Sequence, residues 1–510
     1  MNNTEHLDGS KRTHPLAPHL EDRSADSKVT SQAFDLRHWL EKAKAIGQLK
    51  EVDGVDLKFE LGAITDINSK RGGPALLFNN LKGYKDGFRV LTGSMMNAAT
   101  LGLTMGFEGE LNNLEVVDKV AEMLRSIEST AKDYPLDFVA TGPVMENVVT
   151  GDNVDLTIFP TPIWHELDGG PFIGTGCWQI HRDPDTGWTN VGTYRIQLLG
   201  KNILGNYISP GHHGNIIRQK YWDRNQPCPV VLCFGAHPLF FLMGSCSVPA
   251  GVDELSWAGA ISKQRVPVIK GPVTGFPIPA DAEIVVEGFV TEGDEMIEGP
   301  FGEFTGYYAG GKKSEPVVRV KALYYRNQPI LLGSPPCRPP DDFSYQSSVM
   351  RSAAIKESLR KAGIPEVKGV WVSEAGGGRM WMVTSIAQKY AGHASQAAAV
   401  ACTCQAGGLM ARYSIVVDDD IDPSNNDDVI WALSTRSDPA TDIDIMRQGW
   451  SNLLDPIITD EDKARHRLQN SRAIINACKP YDRLKTFAPV AEASPALTKA
   501  TKEKWAHLFK

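Results

Sequence analysis

Glu298 and Glu303 stand five residues apart in Ile297-Glu298-Gly299-Pro300-Phe301-Gly302-Glu303-Phe304-Thr305-Gly306-Tyr307, separated only by two glycines, a proline and a phenylalanine. Gly and Pro interrupt any helix here, and the residue before Pro300 is driven away from helical geometry. Glycine also lets backbone approach a bulky ligand ring closely. Two carboxylates on a stiff, apolar-flanked loop can hold different pKa values and divide acid and base duties. The plainer alternative is a surface turn carrying two solvated glutamates.

Three further polar stretches bear on that choice. In Trp188-Thr189-Asn190-Val191-Gly192-Thr193-Tyr194-Arg195, regular alternation would put Asn190 and Arg195 on opposite faces of a strand, so Gly192 marks a possible bend or bulge. An arginine among Tyr194, Ile196 and Leu198 needs an anionic partner. A substrate carboxylate, one of the two glutamates, or a purely structural internal ion pair would each serve. Ser209-Pro210-Gly211-His212-His213-Gly214 can present imidazole to a metal or an anion. Asp253 and Glu254 end a long uncharged run, where Asp253 can cap a helix starting near Leu255. Asn, His and Glu together make an oxygen-rich set with one nitrogen, suited to Mn²⁺ or Mg²⁺ rather than structural zinc. HExxH, Walker A and GxSxG patterns are absent, and Gly376-Gly377-Gly378 lacks nucleotide-loop spacing. Asp418-Asp419-Asp420-Ile421-Asp422 reads as a solvated acidic loop.

The rest of the chain must position these groups. At 510 residues it exceeds a single core, so two or more domains are expected. A net charge of −8 and no run of basic residues argue against nucleic acid. Eight dispersed cysteines without a CxxC pair suit a reducing, cytoplasmic setting. Residues 1–33 are polar, lack a signal-peptide core, and read as a disordered extension. The uncharged run 225–252 is broken by Pro227, Pro229, Pro238 and Pro249, which favours buried strands and turns over a membrane span.

The spacing predicts helices from Leu36 to about Ile46 and from Leu114 to Ser129, with a strand in Pro74–Tyr84. From Gly142 the pattern turns to short β-rich runs, among them Leu156–Pro160, Thr189–Leu199, Pro229–Phe234, Glu283–Thr291 and Val317–Tyr325. Such density implies a barrel-like or sandwich-like sheet with helices around it. The prolines at 335, 336, 339 and 340 mark a boundary, beyond which helix and strand alternate as for a mostly parallel sheet. Ser494 to Lys510 forms an amphipathic tail, with Leu497, Trp505, Leu508 and Phe509, suited to docking on a neighbouring subunit.

Taken together, these segments resemble the UbiD family of reversible decarboxylases that use prenylated FMN. The resemblance lies in Asn190 with Arg195, the histidine loop ending at His213, the Pro249–Glu254 segment, the Glu298–Glu303 loop, and the run from Asp419 to Arg436, all in family order. It implies an α/β (α+β) fold. A prenylated-FMN-binding domain with a split-β-barrel-like sheet would span 34–335, followed by an α/β oligomerisation domain over 340–480 and a docking tail over 481–510. It implies that Asn190, His213 and Glu254 hold Mn²⁺ (or Mg²⁺) against the cofactor phosphate. K⁺ would sit on backbone carbonyls around Val191, Met243, Gly244 and Cys246, with Glu254. Arg195, Glu298 and Glu303 would form a Glu-Arg-Glu network above the flavin. The implied reaction is non-oxidative decarboxylation of an aromatic, heteroaromatic or α,β-unsaturated acid through a covalent adduct with the cofactor. A flavin prenyltransferase would supply that cofactor, and the assembly would be a homodimer or homohexamer. An FMN-dependent oxidoreductase and a non-catalytic flavin-binding homologue are the alternatives. One departure stands out: where some members place a phosphate-contacting lysine before an Ala-Gly pair, this chain has Gln405-Ala406-Gly407. His212 is the residue expected to compensate.

Overall fold

The structure is a computed structural model that describes residues 32–508 apart from Ser247; the expected N-terminal extension lies outside the described residues. The first long helix, Leu36–Ala45, starts where Asp35 accepts a hydrogen bond from the Arg37 amide at 2.8 Å, and it buries Leu36, Trp39, Leu40 and Ala43. A four-stranded sheet follows, ordered Leu49–Asp53, Ala75–Asn79, Arg89–Thr92 and Ile330–Gly333. The helix Asn113–Ala131 opens on a capping box between Asn112 and Glu115. It is fixed to the later helix Asp342–Lys361 by a hydrogen bond from the Tyr345 hydroxyl to Asn113 (2.8 Å) and by an Arg125–Glu357 ion pair (2.8 Å).

The central element is a curled, nine-stranded half-barrel sheet. Its spine is the hairpin of Ile284–Glu298 and Lys313–Tyr325. On one side follow Cys228–Gly235, Trp178–Arg182 and Thr189–Gly192; on the other lie Ile203–Gly205, Ile196–Gly200 and Phe172–Gly174, and Asn147–Thr150 pairs with the far end of Lys313–Tyr325 as the ninth strand. Both faces are covered. Along Cys228–Gly235, Val231 and Cys233 enter one core while Val230, Leu232 and Phe234 enter the other. That double burial explains the uncharged run 225–252, which becomes this strand and the buried helix Pro238–Ser245. Among the described residues no helix is long and apolar enough to cross a membrane.

Two expectations within this region need correction. Leu156–Ile158 is a 3₁₀ turn rather than a strand, because the Asp155 side chain accepts from the Thr157 amide (3.0 Å) and closes the backbone locally. Thr189–Leu199 is not one run: it splits into Thr189–Gly192 and Ile196–Gly200.

Beyond the prolines, five strands order as Val367–Val372, Trp381–Ile386, Tyr413–Asp418, Gln469–Ala477 and Ile443–Trp450. The inner three are parallel, as the alternation predicts, but both edge strands run antiparallel. For the first pair the reason is length, since the short link from Ser373 to Met380 cannot make a parallel crossover. The acidic run is solvated only in part: Asp419, Asp420 and Asp422 are exposed, whereas Asp418 is buried. Arg436, almost fully buried, binds Asp418 (3.1 Å) and Asp420 (2.7 and 2.9 Å), and Lys479 binds Asp420 (2.6 Å). A carboxylate as buried as Asp418 requires such a partner.

Candidate functional site

The break between Gly192 and Ile196 aims Arg195. The Thr193 amide leaves the ladder to donate to the Gly244 carbonyl (3.0 Å), so the chain steps out of the sheet for three residues and the strict alternation from Asn190 is lost. From the other side, the strand Ile284–Glu298 ends on a fully buried Glu298. The chain then reverses at Gly299, whose φ of +79° favours glycine. Gly169 packs directly on this turn: its amide donates to the Pro300 carbonyl (2.8 Å), and a Cβ added there would sit 1.9 Å from the Gly299 oxygen. Gln197 accepts from the Gly299 amide (2.9 Å), and the Tyr308 hydroxyl donates to Asp168 (3.0 Å). The loop is clasped from both ends.

The result is a bridge. Arg195 Nε donates to Glu298 Oε1 at 2.9 Å and Nη2 to Glu298 Oε2 at 3.3 Å, while Nη1 donates to Glu303 Oε1 at 2.7 Å. The guanidinium also lies over the Tyr207 ring, 4.7 Å from its centre. Burial pushes the Glu303 carboxyl up to about 7; Arg195 opposes the rise, and the charge of Glu298 adds to it. Burial works against the Arg195 charge too, but Glu298 and Glu303 outweigh it and hold that pKa above the ordinary arginine value. A carboxyl that titrates near neutrality on a fixed arginine can hold a proton and give it up.

A second constellation lies on the same cavity. Glu254 is the first residue of the helix Glu254–Ser262, which Asp253 caps through the Leu255 amide (3.0 Å). Its carboxylate accepts from Asn190 Nδ2 (2.8 Å) and from the Val191 amide (3.0 Å). Burial pushes it up to about 7, with the Val191 amide drawing it down. Asn190 Oδ1 is left buried with no partner. His213 begins the helix His213–Trp222 and meets the Trp188 ring edge-on at 5.0 Å; Trp188 in turn donates to the Val252 carbonyl (2.7 Å). His212 occupies the cap position and stands edge-on to Tyr194 at 5.9 Å. Burial lowers the pKa of both histidines, and for His212 the charge of Arg379 lowers it further.

Arg195, Glu303, Asn190, His212, His213 and Glu254 all line one cavity of about 550 Å³, as do Val191, Gly244 and Cys246. Met243 does not line it, since its side chain belongs to the core; Glu298 sits behind Arg195. Phe301, Phe304 and Phe343 give the cavity apolar walls. Among the described residues no cluster of three or more His, Cys, Asp or Glu could hold a metal. The set expected from the sequence has two such residues and completes itself with the unsatisfied Asn190 oxygen. That orphaned oxygen, the near-neutral Glu254 and an imidazole without a counter-charge fit a hard divalent cation. The volume, the apolar walls and the buried, unpaired Thr193 hydroxyl fit a large planar ligand with a polar tail. Sequence reasoning missed Arg379 and Trp450, which also line the cavity. Arg379 follows three glycines, and such a position reads in sequence as an ordinary exposed loop.

Comparison with known proteins defines the class. Family profiles match in three consecutive blocks: the N-terminal domain of 3-octaprenyl-4-hydroxybenzoate carboxy-lyase (UbiD) over residues 40–124, its Rift-related domain over 138–339, and its C-terminal domain over 344–477. The chain belongs to the UbiD family of carboxy-lyases. It is 33% identical to a pyrrole-2-carboxylic acid decarboxylase of Pseudomonas aeruginosa, covering 89% of this chain and 92% of the relative. It is 31% identical to a phenolic acid decarboxylase of Escherichia coli O157:H7, covering 80% and 86%. Among solved structures, the UbiD-class enzyme HmfF from Pelotomaculum thermopropionicum in complex with FMN superposes with a TM-score of 0.80 at 30% identity, covering 92% of this chain and all of that one. An evolved dimeric form of HmfF in complex with prFMN gives 0.76 at 29% identity, covering 92% and 99%.

Proposed function

We propose that this protein catalyses the reversible, non-oxidative decarboxylation of an aromatic, heteroaromatic or α,β-unsaturated carboxylic acid, with prenylated FMN, Mn²⁺ (or Mg²⁺) and K⁺ as cofactors. The observation that carries the reading is the Glu298–Arg195–Glu303 bridge on the wall of a flavin-sized cavity, with Glu303 titrating near 7. Loss of CO₂ from an sp² carbon leaves a carbanion that no side chain can stabilise, and the prenylated flavin, when bound, supplies the electron sink.

The chain's own residues do the rest. Arg195 presents a fork that orients the substrate carboxylate while its other edge stays anchored on Glu298. Glu303, kept protonated near neutrality by burial, delivers a proton to the carbon that has lost CO₂; in the carboxylating direction it removes that proton. Phe301 and Phe304 exclude water around the pair. Asn190 Oδ1, His213 and Glu254 would hold the divalent ion, and carbonyls near Val191, Met243, Gly244 and Cys246 the monovalent one.

The same reading assigns 34–335 to cofactor binding, 340–480 to oligomerisation and 481–510 to docking in a homodimer or homohexamer. Leu497, Trp505 and Leu508, exposed on the tail, support that docking. A separate flavin prenyltransferase supplies the cofactor. The eight unpaired thiols suit a cytoplasmic setting.

Glu303→Gln tests the central claim. Protein made together with a flavin prenyltransferase is assayed for CO₂ release from a panel that includes pyrrole-2-carboxylate and phenolic acids. The variant is expected to keep its flavin, read by absorbance and mass, and to lose turnover by at least a thousandfold. Near-normal turnover would exclude Glu303 as the proton donor.

A further inference from the structure

Arg195 reaches the cavity with donors to spare. Glu298 and Glu303 take three of the five N–H groups of its guanidinium, which leaves two for an incoming carboxylate. A carboxylate offers about four acceptor positions, and leaving them unmet in an apolar cavity is costly. The walls beside the bridge are largely aromatic, with Phe301, Phe304 and Phe343, so further donors must come from particular side chains. Tyr207 is placed to supply one. Its ring lies against the Arg195 guanidinium, 4.7 Å from centre to carbon, and it lines the same cavity.

Local sequence explains how Tyr207 is aimed. In Asn206-Tyr207-Ile208-Ser209 alternate side chains go opposite ways: Asn206 and Ile208 are buried, whereas Tyr207 and Ser209 line the cavity. The Asn206 amide donates to the Pro316 carbonyl (2.8 Å) and its side chain to Gln179 (2.9 Å), which pins the segment just before Tyr207. Ser209 Oγ donates to the Tyr207 hydroxyl at 3.1 Å, so the proton of the phenol itself is left over. Among the described residues no group accepts it. Burial raises the Tyr207 pKa, with Ser209 and Arg195 drawing it down, so the hydroxyl keeps its proton at neutral pH.

We propose that Tyr207 is a substrate-binding residue whose hydroxyl, steadied by Ser209, donates to the carboxylate of the acid held on the free N–H groups of Arg195. Its ring covers one face of that guanidinium and positions it. Both roles rest on the decarboxylase reading above. A hydrogen bond to the carboxylate is strongest while the acid is charged and fades as neutral CO₂ leaves, so the hydroxyl supports binding rather than the chemical step. The ring matters in both, because whenever Glu303 is protonated Arg195 keeps Glu298 as its one charged partner in the bridge.

Two substitutions separate hydroxyl from ring. Protein made together with a flavin prenyltransferase is assayed for CO₂ release from pyrrole-2-carboxylate and 4-hydroxybenzoate. Tyr207→Phe is expected to keep its flavin and to raise KM by about ten- to a hundredfold, the range of a lost hydrogen bond to a charged group, while kcat does not fall. Tyr207→Leu, which removes the ring as well, should also lower kcat. Calorimetry gives a readout without turnover: the same two acids are titrated into flavin-loaded Glu303→Gln protein with and without Tyr207→Phe, and the second substitution should weaken binding by a similar factor. Unchanged KM and unchanged affinity in Tyr207→Phe would overturn the hydroxyl assignment. So would a fall in kcat at constant KM, which would place the hydroxyl in proton transfer instead. Equal effects of Tyr207→Phe and Tyr207→Leu would remove the positioning role of the ring. Wild type that binds or decarboxylates the acids while Tyr207→Phe behaves identically overturns this inference alone; wild type that neither binds nor decarboxylates any acid overturns the decarboxylase reading with it.

Discussion

Replacing Glu298 with glutamine should move the pH at which the enzyme shuts down, and the structure gives the direction and the size. Glu303 sits near 7 because burial raises it, Arg195 lowers it and Glu298 raises it. Glutamine keeps the shape of Glu298 and can still accept from Arg195 Nε, so the substitution removes a charge and leaves the anchor. The two carboxylates grip opposite edges of one guanidinium, which sets them roughly 6 Å apart and makes their repulsion about 2–3 kcal/mol at an effective dielectric near 20. That is an upper bound of about two pH units, and relaxation around the cavity mouth reduces it to about one. Glu303 must be protonated to donate, so activity is present below its pKa and lost as pH rises through it. A lower pKa therefore moves the basic limb of kcat/KM from about 7 to about 6 or below. Initial rates of CO₂ release from an accepted acid between pH 5 and 8.5, normalised to bound flavin, measure this. The variant should approach wild type at pH 5 and fall about tenfold behind at pH 7.5. A limb that stays in place or moves upward would refute the reasoning. So would an equal loss at every pH, which would mean that Glu298 acts solely by placing Arg195.

Other consequences are more direct. Gly169→Ala pushes a Cβ into the Gly299 carbonyl and displaces the loop between the two glutamates. It should cost about 1–3 kcal/mol of stability and a disproportionate share of kcat, read by urea melts beside turnover. Arg436→Ala leaves Asp418 buried without its cation and should cost about 3–5 kcal/mol, again by urea denaturation, with little effect on flavin content. Deleting residues 494–510 removes the exposed Leu497, Trp505 and Leu508 and should lower the oligomeric mass seen by sedimentation while each chain stays folded.

Local signals in the sequence were enough where structure is local. The helices Leu36–Ala45 and Asn113–Ala131 follow from their caps and from apolar spacing, and the strand Cys228–Gly235 from its uncharged run. Arg195 was legible as a residue that needed an acid, because arginine in an apolar strand cannot stay unpaired; which acid it takes required the fold. Failures came from non-local partners. Asp418 looked solvated because the groups that satisfy it in the interior, the Lys479 amide 61 residues further along and the buried Arg436, come from elsewhere in the chain. The run Thr189–Leu199 breaks directly after Gly192, where the sequence allowed a bend, but the bond that makes the break, from the Thr193 amide to Gly244, is non-local. Arg379 was invisible for a different reason: a cation after three glycines looks ordinary until the fold shows that it lines the cavity with a buried, unpartnered Nε.

One titration at the Glu298–Arg195–Glu303 bridge bears on two steps at once. Arg195 arrives already paired, so its charge is spent on Glu298 and shared with Glu303. While Glu303 is protonated the trio is neutral overall, and a substrate carboxylate can approach Arg195 without net repulsion. Once Glu303 ionises, the trio carries one negative charge, which repels the next carboxylate and removes the proton that decarboxylation requires. The same titration near 7 thus governs substrate capture and proton delivery, so kcat and 1/KM should fall together above that pH.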